Sequence, residues 1–155
     1  MYTNILVAVD GSETSRHALA QSIELARRLS ARLRIVHVVD MGWLPLGPEV
    51  AIDIDALGAA RRSAGETTLA AARDAAREAG FEADAALIET AAPDEHVAEA
   101  IAREAARQAA DLVVLGTHGR RGFQRLILGS VAERMARLSP VPVMLVPAPG
   151  APSPA

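Results

Sequence analysis

At 155 residues and a formal net charge of −3, the chain is long enough for one domain with a full core and has no charge excess that would make nucleic acid its main partner. It contains no cysteine, which excludes disulfides, thiolate nucleophiles and cysteine-ligated zinc. All sixteen basic residues are arginine, which excludes Schiff-base chemistry and a Walker A loop, whose lysine reaches the β- and γ-phosphates.

Half of the residues are hydrophobic and only 3% aromatic, so the core must be built from Ala, Val, Leu and Ile. Asn4 to Asp10 (NILVAVD) is a short β-rich run ending in an acidic residue. A helix follows, with Ser15, Ala18, Leu19, Ser22, Ile23, Ala26 and Leu29 on one face. Leu33 to Asp40 (LRIVHVVD) is a second strand, again ending in aspartate. Met41 to Asp55 is irregular and holds the only tryptophan, Trp43; a loop of this length is often a functional lid or an excursion. Ala56 to Gly80 reads as an alanine-rich helix stopped by glycine.

Glu82 to Glu89 contains a weaker strand, suited to a sheet edge. Ala92-Pro93-Asp94 leads into a helix with Val97, Ile101, Ala105 and Ala109 four apart, and Glu99 and Arg103 are spaced to pair on its outer face. Asp111 to Leu115 (DLVVL) is a buried strand and Val131 to Leu138 a helix. Val141 to Val146 is a last strand flanked by prolines, which belongs at an edge because proline cannot donate to a ladder. Residues 148–155 form a Pro/Ala tail expected to be disordered. The N-terminus lacks a basic region, Ile5 to Val9 is too short for a signal peptide, and no stretch approaches the ~20 apolar residues of a membrane span. A cytoplasmic location is expected.

Helical crossovers between apolar strands argue a parallel sheet covered by helices on both faces, with right-handed connections. In such sheets ligands bind beyond the carboxyl ends of the strands, where the strand order reverses. Asp10 and the stretch Gly116 to Val131 (GTHGRRGFQRLILGSV) would share that rim if the first and fourth strands are neighbours. The stretch has glycines at 116, 119, 122 and 129 and closes on Ser130-x-x-Glu133, a capping-box pattern. Glycines let a ligand approach the backbone, and the N–H groups and dipole of a helix start favour phosphate. Read from spacing alone, the stretch is as well explained as a set of turns and a cap.

Asp10 is placed to bind a ribose hydroxyl or join a metal shell, or more simply to accept backbone N–H bonds at the first helix. Asp40 is a weaker version of the same idea. Ser130 could serve a phosphate or cap its helix, with one hydroxyl for both uses. Arg120, Arg121 and Arg125 could neutralise phosphate, or be a solvated basic loop. His118 has no Ser or Asp partner at a catalytic spacing, His37 reads as a core or rim residue, and His17 and His96 read as helix-surface residues. No metal motif built on histidine and no nucleophile elbow occurs. No residue is assigned a catalytic role.

The spacing Gly116-x2-Gly119-x9-Gly129-Ser130 resembles the G-x2-G-x9-G-[ST] signature of the ATP-binding branch of the universal stress proteins. NILVAVDGSETSRHAL, IVHVVD, AADLVVLGTHG and SPVPVMLV are similar to further parts of that family, over residues 2–147. The resemblance implies a single domain (1–147) with a five-stranded parallel sheet in the order 3-2-1-4-5, Rossmann-like and adenine nucleotide α-hydrolase-like. It implies ATP as ligand, with adenine and ribose at Ala8, Val9, Asp10 and Val38 and phosphates at Gly116, Gly119, Gly129, Ser130 and Val131. It also implies a homodimer through Val141–Val146, which would protect an exposed edge. Magnesium could accompany a triphosphate, with no protein ligand beyond Asp10. The chain departs from relatives in having Ala91-Ala92-Pro93 where a Gly-x-Pro is common.

The expected function is that of an ATP-binding dimeric stress-response regulator acting on an unknown protein partner, with at most slow hydrolysis. The alternative is a dimeric interaction module of the same fold that needs no nucleotide.

Overall fold

The computed structural model describes residues 1–42, 51–118 and 128–150. Gly119, Arg120, Arg121, Gly122, Arg125 and Trp43 lie outside the described residues, as do 151–155 of the tail. Nine elements alternate: β1 (Asn4–Ala8), α1 (Glu13–Leu29), β2 (Arg32–Val39), α2 (Ile54–Glu78), β3 (Asp84–Glu89), α3 (Val97–Arg107), β4 (Leu112–Gly116), α4 (Ser130–Leu138) and β5 (Val143–Val146). The strands form one parallel sheet in the order β3-β2-β1-β4-β5, as the resemblance implies. The weak third strand and the proline-flanked fifth are the two edges.

Alternate residues along each strand feed two apolar layers. Ile5, Val7, Leu33, Ile35, Leu112 and Val114 pack with Leu19 and Ile23 of α1 and with Ala72 and Ala76 of α2. Leu6, Val36 and Val113 pack on the other face with Ile101 of α3 and Met135 of α4. Burial on both faces explains why β1 and β4 read as nearly unbroken apolar runs. Two helices start earlier than the apolar pattern suggests. Asp53 caps α2, its carboxylate accepting the Ala56 N–H at 3.0 Å, so helix begins inside the stretch expected to be irregular. At its far end α2 stops at Glu78, and Gly80 takes φ +71° just beyond.

The middle of α2 needs a glycine. A Cβ on Gly65 would lie 2.8 Å from Val39 Cγ2 and 3.0 Å from Leu87 Cδ1, so a bare backbone lets this helix settle on β2 and β3.

One charged cluster lies inside the fold. Glu104 of α3 is 1% exposed. Its carboxylate accepts from Arg34 Nε of β2 at 3.0 Å and from Arg107 Nε and Nη2 at 2.8 and 2.9 Å. Burial pushes its pKa up, but hydrogen bonds from Arg107 and Arg34 outweigh this and hold it below the ordinary value. A carboxylate with a depressed folded pKa stabilises the fold above its unfolded pKa, and that contribution is lost as pH falls through the folded value. Glu104→Ala removes a buried carboxylate and its hydrogen bonds but leaves guanidiniums that reach water, Arg34 being 23% and Arg107 61% exposed. It should cost about 2 kcal/mol at pH 7, read by urea denaturation. The gap between variant and wild type should narrow below about pH 4. A loss under about 1 kcal/mol at pH 7 would mean the cluster acts only as a surface ion pair.

Candidate functional site

The chain leaves β1 and β4 in opposite directions, because α1 covers one face of the sheet and α4 the other. A cleft of about 990 Å³ opens between their carboxyl ends, at the reversal of strand order where α/β sheets bind ligands. Ala8, Val9, Asp10, Val38, Gly116, Gly129, Ser130 and Val131 all line it; of the nine residues singled out from the sequence, only Gly119 lies outside the described residues.

At one end the backbone of β1 is largely committed. The Val9 N–H donates to Val36 O at 2.9 Å, and Val9 O lies 2.7 Å from His37 Nδ1. A carbonyl only accepts, so Nδ1 carries the proton. Asp10 shapes the turn: its N–H donates to Ser15 Oγ at 3.2 Å and its Oδ1 accepts the Ser12 N–H at 2.9 Å. The cap of α1 is Ser12, which accepts the Ser15 N–H at 3.2 Å. Asp10 thus fills the simpler role read from the sequence while also standing in the cleft wall.

Val38 is differently placed. Val36 O faces β1, whereas Val39 O faces β3 and accepts the Thr90 N–H. Peptide groups of successive residues in a parallel ladder face alternate neighbours. The N–H and C=O of Val38 therefore point towards β1, which has ended at Ala8. A donor and an acceptor side by side on a strand edge suit the polar edge of a planar heterocycle.

At the other end, the Thr117 N–H donates to Val146 O at 2.9 Å and the Gly129 N–H to Thr117 O at 2.8 Å. These bonds bring the start of α4 to the tip of β4. The capping box expected at Ser130 is not formed. The N-cap is Gly129, which has no side chain to cap with, and Ser130 is the first helical residue. Glu133 instead reaches Arg137, whose Nη2 donates to Oε1 at 2.6 Å, so an ion pair one turn on takes the carboxylate that a box would need. The Ser130 hydroxyl is exposed and is not the helix cap. Ser130, Val131 and Ala132, whose N–H groups precede the first intrahelical bond from Glu133 to Gly129 O, all line the cleft. Such a helix start attracts anions.

Gly116 owes its identity to packing. A Cβ there would stand 2.7 Å from Thr14 Cγ2 and 3.1 Å from the Thr14 backbone carbon, so the first turn of α1 requires the glycine.

Further cleft residues were not assigned to the site from the sequence, although Ala91-Ala92-Pro93 was marked as a departure from the family pattern. Pro93, Glu95, His96 and Val97 form a wall ahead of α3, and Arg61 of α2 reaches the rim, its Nη1 donating to Asp40 O at 2.8 Å and Gly42 O at 3.0 Å. His96, expected on a helix surface, is the N-cap residue of α3 and lines the cleft. His118 lines it too, with Nδ1 2.9 Å from Thr117 Oγ1, while His17 Nδ1 lies 2.8 Å from Pro147 O. The expected Glu99–Arg103 pair is replaced. Arg103 Nε donates to Glu95 at 3.1 Å, and Glu99 accepts from Arg134 of α4 at 2.8 Å. Spacing within one helix could not reveal partners supplied by a loop and by a neighbouring helix. The Arg103 hydrogen bonds hold the Glu95 carboxyl below its ordinary value. Among the described residues there is no cluster of three or more metal-ligating side chains.

Gly116→Ala should cost about 1–3 kcal/mol of stability through overpacking, measured by chemical denaturation. Adding Thr14→Ala should return part of the loss. Strict additivity of the two changes would show that the clash is not the cause.

Residues 1–147 match the model of the universal stress protein family. The universal stress protein YxiE of Bacillus subtilis is 30% identical over 152 residues, covering 94% of this chain and 99% of YxiE. A solved structure of a protein of that family from Burkholderia pseudomallei is 38% identical, covers 95% of this chain and 97% of its own, and superposes with a TM-score of 0.75. The universal stress protein from Archaeoglobus fulgidus, solved in complex with dAMP, is 26% identical, covers 94% of this chain and 98% of its own, and has a TM-score of 0.63.

Proposed function

The chain belongs to the universal stress protein family, and we propose that it binds an adenine nucleotide, ATP with magnesium in its working form, in the cleft between β1 and β4. The observation that carries this reading is the pairing of two unlike ends in one cleft. The outward peptide group of Val38 suits the edge of adenine, and the uncapped start of α4 at Gly129, Ser130 and Val131 suits phosphate. Ala8, Val9 and Asp10 lie between Val38 and β4 in the order of the sheet, where a ribose would sit. Gly116 and Gly119 complete the proposed phosphate segment. The volume of about 990 Å³ is at the upper end of the range of about 300–1,000 Å³ seen for small-molecule sites. The dAMP complex of the Archaeoglobus relative supports the same ligand class.

In this reading the protein is a cytoplasmic regulator whose nucleotide occupancy alters its shape or its partners. Hydrolysis is slow, because the chain has no lysine to serve the β- and γ-phosphates and no assigned base to direct water. Two chains pair through β5, whose outer edge has no neighbouring strand among the described residues. Val143, Met144 and Leu145 on it are only half-buried, an arrangement that invites strand pairing. Sedimentation equilibrium should therefore give twice the mass of one chain at micromolar concentration, and a monomer would remove the dimer from the account.

Calorimetry of nucleotide-stripped protein should show saturable binding of ATP with magnesium. Gly129→Arg places a bulky side chain at the mouth of α4 and should weaken that binding at least about tenfold, the scale of about 1.4 kcal/mol. Unchanged affinity in the variant would refute the phosphate assignment. Absence of binding by wild type at millimolar ATP would favour an interaction module that works without nucleotide.

A further inference from the structure

The wall of the cleft that follows β3 is held by a device that the family signature does not include. Residues 90–96 run without helix or strand between Glu89 and Val97. The N-cap of α3, His96, makes no side-chain capping bond, so the helix start does not anchor the segment. Glu95 does. Its side chain is 14% exposed, and its carboxylate accepts from Arg103 Nε and Nη2 at 3.1 Å each and also from the Ala91 N–H. The same Arg103 Nη2 donates to Glu89 O at 3.1 Å. One guanidinium on α3 thereby ties the last residue of β3 to the loop, and through Glu95 it also fixes Ala91. This is the segment where the chain carries Ala91-Ala92-Pro93.

The wall meets the opposite rim. A Cβ on Gly42 would lie 3.3 Å from Pro93 O, and the Met41 N–H donates to Thr90 Oγ1 at 2.9 Å. Arg61 holds Asp40 O and Gly42 O from the other side of the sheet. Val38 is the register partner of Ile88; its N–H and C=O face β1, away from β3, and the chain leaving β3 meets it in the cleft that Val38, Pro93, Glu95, His96 and Val97 line together. The start of α4 is reached through β4, on the far side of β1. The beginning of the wall at Glu89 is therefore separated from β4 by β2 and β1, while its far end joins α3, which meets α4 through Glu99 and Arg134.

We propose that Glu95 and Arg103 are a positioning pair for the nucleoside, holding the 90–97 wall so that base and ribose meet a preformed surface while phosphate binding is left to α4. This rests on the adenine-nucleotide reading of the same cleft. The pair is partly solvated, with Arg103 44% exposed, so its contribution to fold stability is small. Its effect comes through preorganisation: an untethered loop must be ordered each time a ligand binds. Arginine suits the task because its planar fork serves Glu95 and Glu89 O together, which the single ammonium of lysine does less well.

The test compares adenosine, ATP and inorganic tripolyphosphate by calorimetry on the whole chain and on Arg103→Ala, Arg103→Lys and Glu95→Gln. Arg103→Ala should weaken adenosine and ATP by about tenfold, the order of the ordering cost restored to the loop. It should leave tripolyphosphate affinity and Tm unchanged, and Arg103→Lys should fall between alanine and wild type. Glu95→Gln should follow Arg103→Ala in direction, with a smaller loss. Unchanged adenosine affinity in Arg103→Ala overturns the inference. So does an equal loss for tripolyphosphate, or a fall in Tm that tracks affinity, since either marks a merely structural pair. If wild type binds tripolyphosphate but not adenosine, the adenine-nucleotide reading fails first and the positioning role goes with it.

Discussion

The constraint on which the rest of the structure depends is the length of β1. It is paired on both edges, Ile5–Val7 against Leu33–Ile35 and against Leu112–Val114, and it stops at Ala8 while β2 continues to Val39. Among the described residues, the overhang leaves the β1-facing N–H and C=O of Val38 with no strand beside them. The turn that ends β1 is stabilised from within: Gly11 takes φ +81°, which glycine accepts without penalty, and Asp10 and Ser12 bond the backbone that follows. A crevice at the centre of the sheet is thus a consequence of where one strand ends. The opposite departures of α1 and α4 then widen it.

A chain with so few aromatic residues closes its layers by bringing backbones near one another. Gly65 lets α2 lie on Val39 and Leu87, and Gly116 lets α1 lie on the tip of β4. Both glycines also line the cleft, so the contacts that hold the helices on the sheet shape the site as well. Arginine takes the remaining work. Arg34 and Arg107 neutralise a buried glutamate, while Arg61 and Arg103 hold the two rims. Guanidinium groups suit these positions because each reaches two or more acceptors in a fixed plane.

The alternation of apolar runs and helical faces was legible without any structure, and so was the edge position of β5, which follows from Pro140 and Pro142. The strand order came with the family resemblance, as did the grouping of Ala8, Val38 and Gly129 in one place; periodicity carries no information on which strands are neighbours. Local chemistry was less legible. Ser130 and Glu133 have the spacing of a capping box, yet Glu133 binds Arg137 and Gly129 takes the cap position. Glu99 and Arg103 have the spacing of a helical pair, yet each finds a partner elsewhere. In both cases a pattern within one helix competed with a charged group that only folding or the next turn supplies. Glu95 and Arg61 were silent for the same reason, since their roles exist only once separate segments meet at the rim, whereas Pro93 was marked by the departure of Ala91-Ala92-Pro93 from the family pattern.

The central claim is that one cleft reads a nucleoside at Val38 and phosphate at the start of α4. The most direct measurement is an amide chemical-shift titration of the isotope-labelled, nucleotide-stripped protein with AMP. The account predicts the largest shifts at the Val38 amide and at the Ser130 and Val131 amides, saturating together with one affinity, while amides at the opposite end of the sheet, such as Asn4 and Leu112, stay in place. Large shifts confined to surfaces away from the cleft, or separate affinities for the Val38 and Val131 ends, would contradict it.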